Sequence, residues 1–143
     1  MFGTIWSQLG LLALVGACAF ALWKGGAAER LGGALNLFAG LLVMLLDSLL
    51  QPDVKPLARL AVDGVLAAGF LVLALRYSSL WLGAAMLLQA VQFSLLAYYL
   101  VSELRHDNTF VLINNLDTTG INLCIVTGTA LTWRRRVIAA TEA

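Results

Sequence analysis

Leu80-Trp-Leu-Gly-Ala-Ala-Met-Leu-Leu-Gln-Ala-Val-Gln-Phe-Ser-Leu-Leu-Ala-Tyr-Tyr-Leu-Val101 contains no Asp, Glu, Lys or Arg. A helix of about 20 apolar residues, rising 1.5 Å per residue, crosses the roughly 30 Å of a bilayer's hydrocarbon core. This run is therefore read as a membrane-crossing helix, and the chain around it is read with lipid as its solvent. Of the 143 residues, 61% are hydrophobic and 12% charged, with mean hydropathy +0.89. A soluble domain carries about 25% charged residues to cover its surface. That balance excludes a soluble enzyme, a disordered chain and a disulfide-stapled secreted module. A net charge of +1 excludes nucleic acid as a partner, because it offers no electrostatic footprint for phosphates.

Working outward from that run, four further crossings are expected. Arg76-Tyr-Ser-Ser79 is a tight hairpin back into a helix over about 58–75. Before it, Gln51-Pro-Asp-Val-Lys-Pro56 breaks the chain with two prolines, which remove donors and disfavour helical geometry ahead of each ring. A helix over about 31–50 precedes that break. Lys24-Gly-Gly-Ala-Ala-Glu-Arg30 reads as a loop after a first helix over about 4–23.

The fifth crossing, about 110–133, is the most polar, with Asn114, Asn115, Asp117, Asn122 and several threonines inside an apolar frame. Charge bias decides it, because Lys and Arg concentrate on the cytoplasmic side. With five crossings and the N-terminus outside, Lys24, Arg30, Arg76, Arg134, Arg135 and Arg136 fall inside, against Lys55, Arg59 and Arg105 outside. Four crossings would reverse that bias. Trp6, Tyr98 and Tyr99 then fall at outer helix ends, and Trp23, Tyr77, Trp81 and Trp133 at inner ends, as interfacial aromatics do. The fold class expected is an all-α, polytopic membrane bundle. Residues 1–143 form a single domain with the C-terminus cytoplasmic, and Arg134, Arg135 and Arg136 anchor topology or anionic lipid.

Charged groups at membrane depth are expensive and face protein or water, so they mark candidate sites. Asp47, Asp63 and Asp117 are all expected near the outer face, with Ser7 and Gln8 on the first helix and Gln92 a little deeper. Asn36, Gly40, Val43 and Asp47 share one face of the second helix, and Ala85, Gln89, Gln92, Leu96 and Tyr99 one face of the fourth. Together with Arg59 they outline a polar, acidic vestibule opening outward above a dry inner half. Two readings are open for the acids. One is structural: Arg59 pairs with Asp63, Asp47 hydrates or meets Lys55, and Asp117 caps the fifth helix beside Asn114 or Asn115. The other is a ligand, ion or proton site. Ala13, Ala17 and Ala21, with Gly40, Gly120, Cys124 and Gly128, are small residues suited to close helix packing.

Other chemistries lack their ingredients. Ser102, His106 and Asp107 are adjacent in one loop and do not form a triad by adjacency. One histidine excludes paired imidazole ligands, so no metal site and no cofactor is expected. Cys18 and Cys124 read as packing residues. Val15-Gly-Ala-Cys18 has the form of a lipid-attachment box but lacks a basic segment before it, so cleavage is not expected.

Arg30-Leu-Gly-Gly-Ala-Leu-Asn36 resembles the second-helix motif of the membrane enzymes of eicosanoid and glutathione metabolism, but Ala39 stands where that family carries a carboxylate. Leu73-Ala-Leu-Arg76, Trp81 and Gln89 resemble the pattern of short uncharacterised bacterial inner-membrane proteins, which implies that location. The function expected is a non-catalytic accessory subunit of a larger inner-membrane complex, with the bilayer and other membrane proteins, or self-association, as partners. The alternative is a small transporter or proton- or cation-coupled carrier using the vestibule.

Overall fold

The computed structural model describes residues 2–104 and 107–142, with side chains from residue 8 onward. Among these residues there are five helices: α1 (Phe2–Lys24), α2 (Ala27–Leu49), α3 (Lys55–Tyr77), α4 (Leu80–Val101) and α5 (Asn108–Thr141). α2, α3, α4 and α5 are each long and apolar enough to cross a membrane; the described apolar part of α1 is the shorter stretch Gln8–Lys24. Each helix packs on its neighbours in sequence, α5 closes the ring onto α1, and α2 meets α5 across the middle. Short turns force this up-and-down order. Ser78 ends α3 in the left-handed conformation at φ 48°, and Ser79 already precedes α4.

Glycines hold the ring together as sockets for large side chains. Leu14 of α1 sits at Gly40 of α2, Leu35 of α2 at Gly69 of α3, Phe93 of α4 at Gly64 of α3, and Leu88 of α4 at Gly120 of α5. The Trp81 indole lies against Gly128 of α5 on one side and Gly32 of α2 on the other. α1 and α2 come together where Gly33 faces Ala21 and the Cys18 carbonyl. Gly40, Gly120 and Gly128 thus receive side chains and not a neighbouring backbone. Ala17 and Ala21 are buried, while Ala13 is exposed. The fully buried core, Phe70, Leu82, Ala85 and Ile125, fills the half nearer the α1–α2 turn.

Several helix ends differ from the sequence expectation. Pro56 lies in the first turn of α3, where its missing N–H is no loss, so the helix begins at Lys55 and not near residue 58. Residues 27–30 belong to α2 and not to a loop, because Glu29 folds back to accept the Gly26 N–H at 2.9 Å. α5 is capped by Asp107, which accepts from Phe110 N at 2.9 Å, and not by Asp117. At 34 residues against 22 or 23 for the others, α5 is about 51 Å long.

The Asp107 cap makes one expected result testable. The Phe110 amide, and then the Tyr99 hydroxyl at 2.8 Å, hold the Asp107 carboxyl below the usual carboxylate range. A lowered folded-state pKa means that the stabilisation is fully present above the ordinary value and is lost as pH falls through the lowered one. Acidification should therefore fray residues 108–111, as read from backbone chemical shifts. Asp107→Asn, which caps without titrating, should remove that acid response; an unchanged response would contradict the assignment.

Candidate functional site

The interior polar groups fall into three levels along the bundle. At the α2–α3 end, Arg59 donates from Nε to Asp47 Oδ1 at 3.0 Å and from Nη2 to Asp47 Oδ2, a two-point ion pair across the Gln51–Val54 turn. Arg59 is thus the partner of Asp47 and not of Asp63. Lys55, the other candidate for Asp47, makes no ion pair with it.

The middle level is a belt of amides around one acid. Gln89 Nε2 donates to Asp63 Oδ1 at 3.3 Å, Gln92 Nε2 to Asn114 Oδ1 at 3.2 Å, and Asn36 Nδ2 to Asn122 Oδ1 at 3.2 Å. These bonds tie α3 to α4, α4 to α5 and α2 to α5. They surround a cavity of about 250 Å³ to which all five helices contribute, with Arg59, Asp63, Asn36, Gln89, Gln92 and Asn114 as polar walls and Leu14, Val62, Leu66, Phe110 and Ile121 among the apolar ones. Asp63 stands eight residues into α3, about 12 Å along the helix, whereas Asp47 is within about 3 Å of the end of α2. Measured from the helix ends, Asp63 thus stands deeper than Asp47.

Three residues expected in the vestibule do not line the cavity: Asp47, which reaches it only through Arg59, and two that are elsewhere. Gln8 is exposed and does not line the cavity. Asp117 is buried, but on the side of α5 that carries Gly120 and Gly128 toward α4; its Oδ2 is buried without a hydrogen-bond partner among the described residues. Thr118 lines the cavity, and Asn115 is exposed. Arg105, His106, and the side chains of Trp6 and Ser7 lie outside the described residues.

The third level, at the α1–α2 turn, is built on a carboxylate that sequence reasoning placed in a loop. Glu29 is 5% exposed. Its Oε2 accepts from Gly26 N, and its Oε1 accepts from Trp81 Nε1 at 3.2 Å and Thr132 Oγ1 at 2.9 Å. Arg136 donates to the Gly25 carbonyl at 3.3 Å, and Lys24 Nζ lies 4.6 Å from the Trp23 ring centroid and 5.3 Å from that of Trp133. Glu29 thereby joins α2, α4 and α5. The legible signal was an acid three residues after Gly26, ahead of an apolar run. Trp81, expected at a helix end, is the second residue of α4, and its ring is wedged among helices.

Among the described residues no three His, Cys, Asp or Glu side chains gather closely enough to hold a metal ion. Cys18 is buried and Cys124 half-buried, both as free thiols. No protein-family model, curated protein or solved structure matches the chain.

Proposed function

We propose that the chain is a multi-pass protein of the bacterial inner membrane, with five crossings, the N-terminus outside and the C-terminus cytoplasmic, that works as a non-catalytic accessory subunit of a larger membrane assembly. The orientation rests on the Lys and Arg distribution. The observation that carries the partner role is Asn115, whose carboxamide is exposed about 10 Å along α5 with no hydrogen-bond partner among the described residues. An amide bare to hydrocarbon is costly, and a polar group on another helix relieves it. Gly10, Gly16 and Gly83 add to this: nothing lies within 4 Å of where their side chains would stand, whereas the other described glycines are filled.

Extraction in mild detergent, followed by size analysis and mass spectrometry, tests the reading. Companion chains or a defined oligomer are expected, and Asn115→Leu, which touches no bundle contact, should weaken the association. A wild-type particle that is strictly monomeric and free of companions would overturn it. A second reading, a small cation carrier, is favoured by the amide-lined cavity. Flux into liposomes that is unchanged by Asp63→Asn would remove it.

A further inference from the structure

We propose that the central cavity is a binding site for a small organic monocation, a primary alkylammonium, with Asp63 as the group that recognises its charge. This deepens the carrier reading by naming the occupant of its site, yet it requires binding only, so a site that binds without flux would stand while that reading fell. Three observations lead to it.

The first is charge. Two ionisable side chains line the cavity, Arg59 and Asp63. Arg59 is engaged at two points by Asp47, and it is the only cation found in an ion pair among the described residues. That leaves Asp63 with no ion pair of its own: it feels the Arg59 charge only at longer range, and its one hydrogen bond is from the neutral Gln89 amide at 3.3 Å. A guest carrying one positive charge completes the pairing, whereas an anion would meet an unpaired acid in a wall of low polarity.

The second is hydrogen bonding. Asn36, Gln89 and Gln92 each donate through the amide nitrogen to another side chain, which leaves their carbonyl oxygens, with Asp63 Oδ2, as acceptors facing no described donor. An ammonium head, with three donors and no acceptor, matches such a set.

The third is the rest of the wall. About 250 Å³ is room for roughly eight waters at about 30 Å³ each, far more than a bare metal ion fills. A hard cation asks for six or more oxygens around it, whereas Leu66, Phe110 and Ile121 offer hydrocarbon. An alkyl tail fits against those side chains while the head turns to Asp63.

The test uses the purified full chain in detergent and the midpoint of its thermal unfolding, which rises with any ligand that binds only the folded state. n-Butylammonium chloride should raise the midpoint saturably, while n-butanol and potassium chloride at equal concentration should not. Asp63→Asn should weaken the apparent affinity about tenfold or more, the loss expected for a hydrogen bond to a charged group. Val62→Phe, which narrows the cavity and leaves the acid in place, should abolish the effect and keeps the test decisive if Asp63→Asn fails to fold. Asp53→Asn, in the exposed α2–α3 turn, should behave as wild type. An equal shift with potassium chloride would make this an inorganic-cation site, and an equal shift with butanol an apolar pocket; either overturns the proposal. So would the absence of any shift, or a shift that survives both cavity variants.

Discussion

Glu29→Ala should destabilise the bundle by about 3 kcal/mol or more, the largest effect expected of any polar substitution in the chain. The substitution removes one acceptor group and strands three donors at once: the Gly26 amide, the Trp81 indole N–H and the Thr132 hydroxyl. Each buried donor left without an acceptor costs about 1–3 kcal/mol, with the lower figure apt where water reaches in, as at Trp81 and Thr132. Glu29→Gln keeps one oxygen for Trp81 and Thr132 but turns a donor toward the Gly26 amide, so a smaller loss of about 1–2 kcal/mol is expected. Reversible unfolding in mixed micelles, followed by far-UV circular dichroism, measures both. An alanine variant within about 0.5 kcal/mol of wild type, the range of an ordinary surface change, would show that Glu29 ties nothing together.

Gly128→Ala should be nearly as damaging for a steric reason. A methyl group there would stand 2.6 to 2.7 Å from three atoms of the Trp81 indole. The ring has nowhere to retreat, because its far edge is against Gly32, where an added carbon would lie 2.9 Å from Cη2. Overpacking of this kind costs about 1–3 kcal/mol. Any shift of the indole also breaks its bond to Glu29, so the two substitutions should be non-additive. In the Glu29→Ala background Gly128→Ala should cost about 0.5–2 kcal/mol less than in wild type. Strict additivity in this double-mutant cycle would mean that the slot and the carboxylate act independently.

The helices were legible in the sequence because largely apolar runs of spanning length are separated by short polar breaks, as at Ser78 and Ser79. Their ends were less so. A proline can stop one helix or start the next, and Pro56 starts α3. Helical spacing also placed Asn36, Gly40 and Val43 on one face of α2, and all three line the cavity. It failed for Arg59, because spacing along one helix finds the i+4 neighbour Asp63, whereas the turn at residues 51–54 brings Asp47 alongside from another helix. Gln8 and Asp117 show the same limit. A stripe on one helix does not say which neighbour it will face, and neither of these two side chains lines the cavity. Glu29 was hidden by reading Gly25-Gly26 as the middle of a loop, when Gly26 is the cap of a helix.

The extra length of α5 gives the molecule a handle. Past Arg136, which donates to the Gly25 carbonyl of the α1–α2 turn, the helix runs on through Thr141 with every residue in the exposed class, Val137 and Ile138 about half so. A cysteine label or short epitope placed on Ala139 or Ala140 would disturb no packing, and its reaction with a reagent that cannot permeate whole cells would report which compartment that tip occupies.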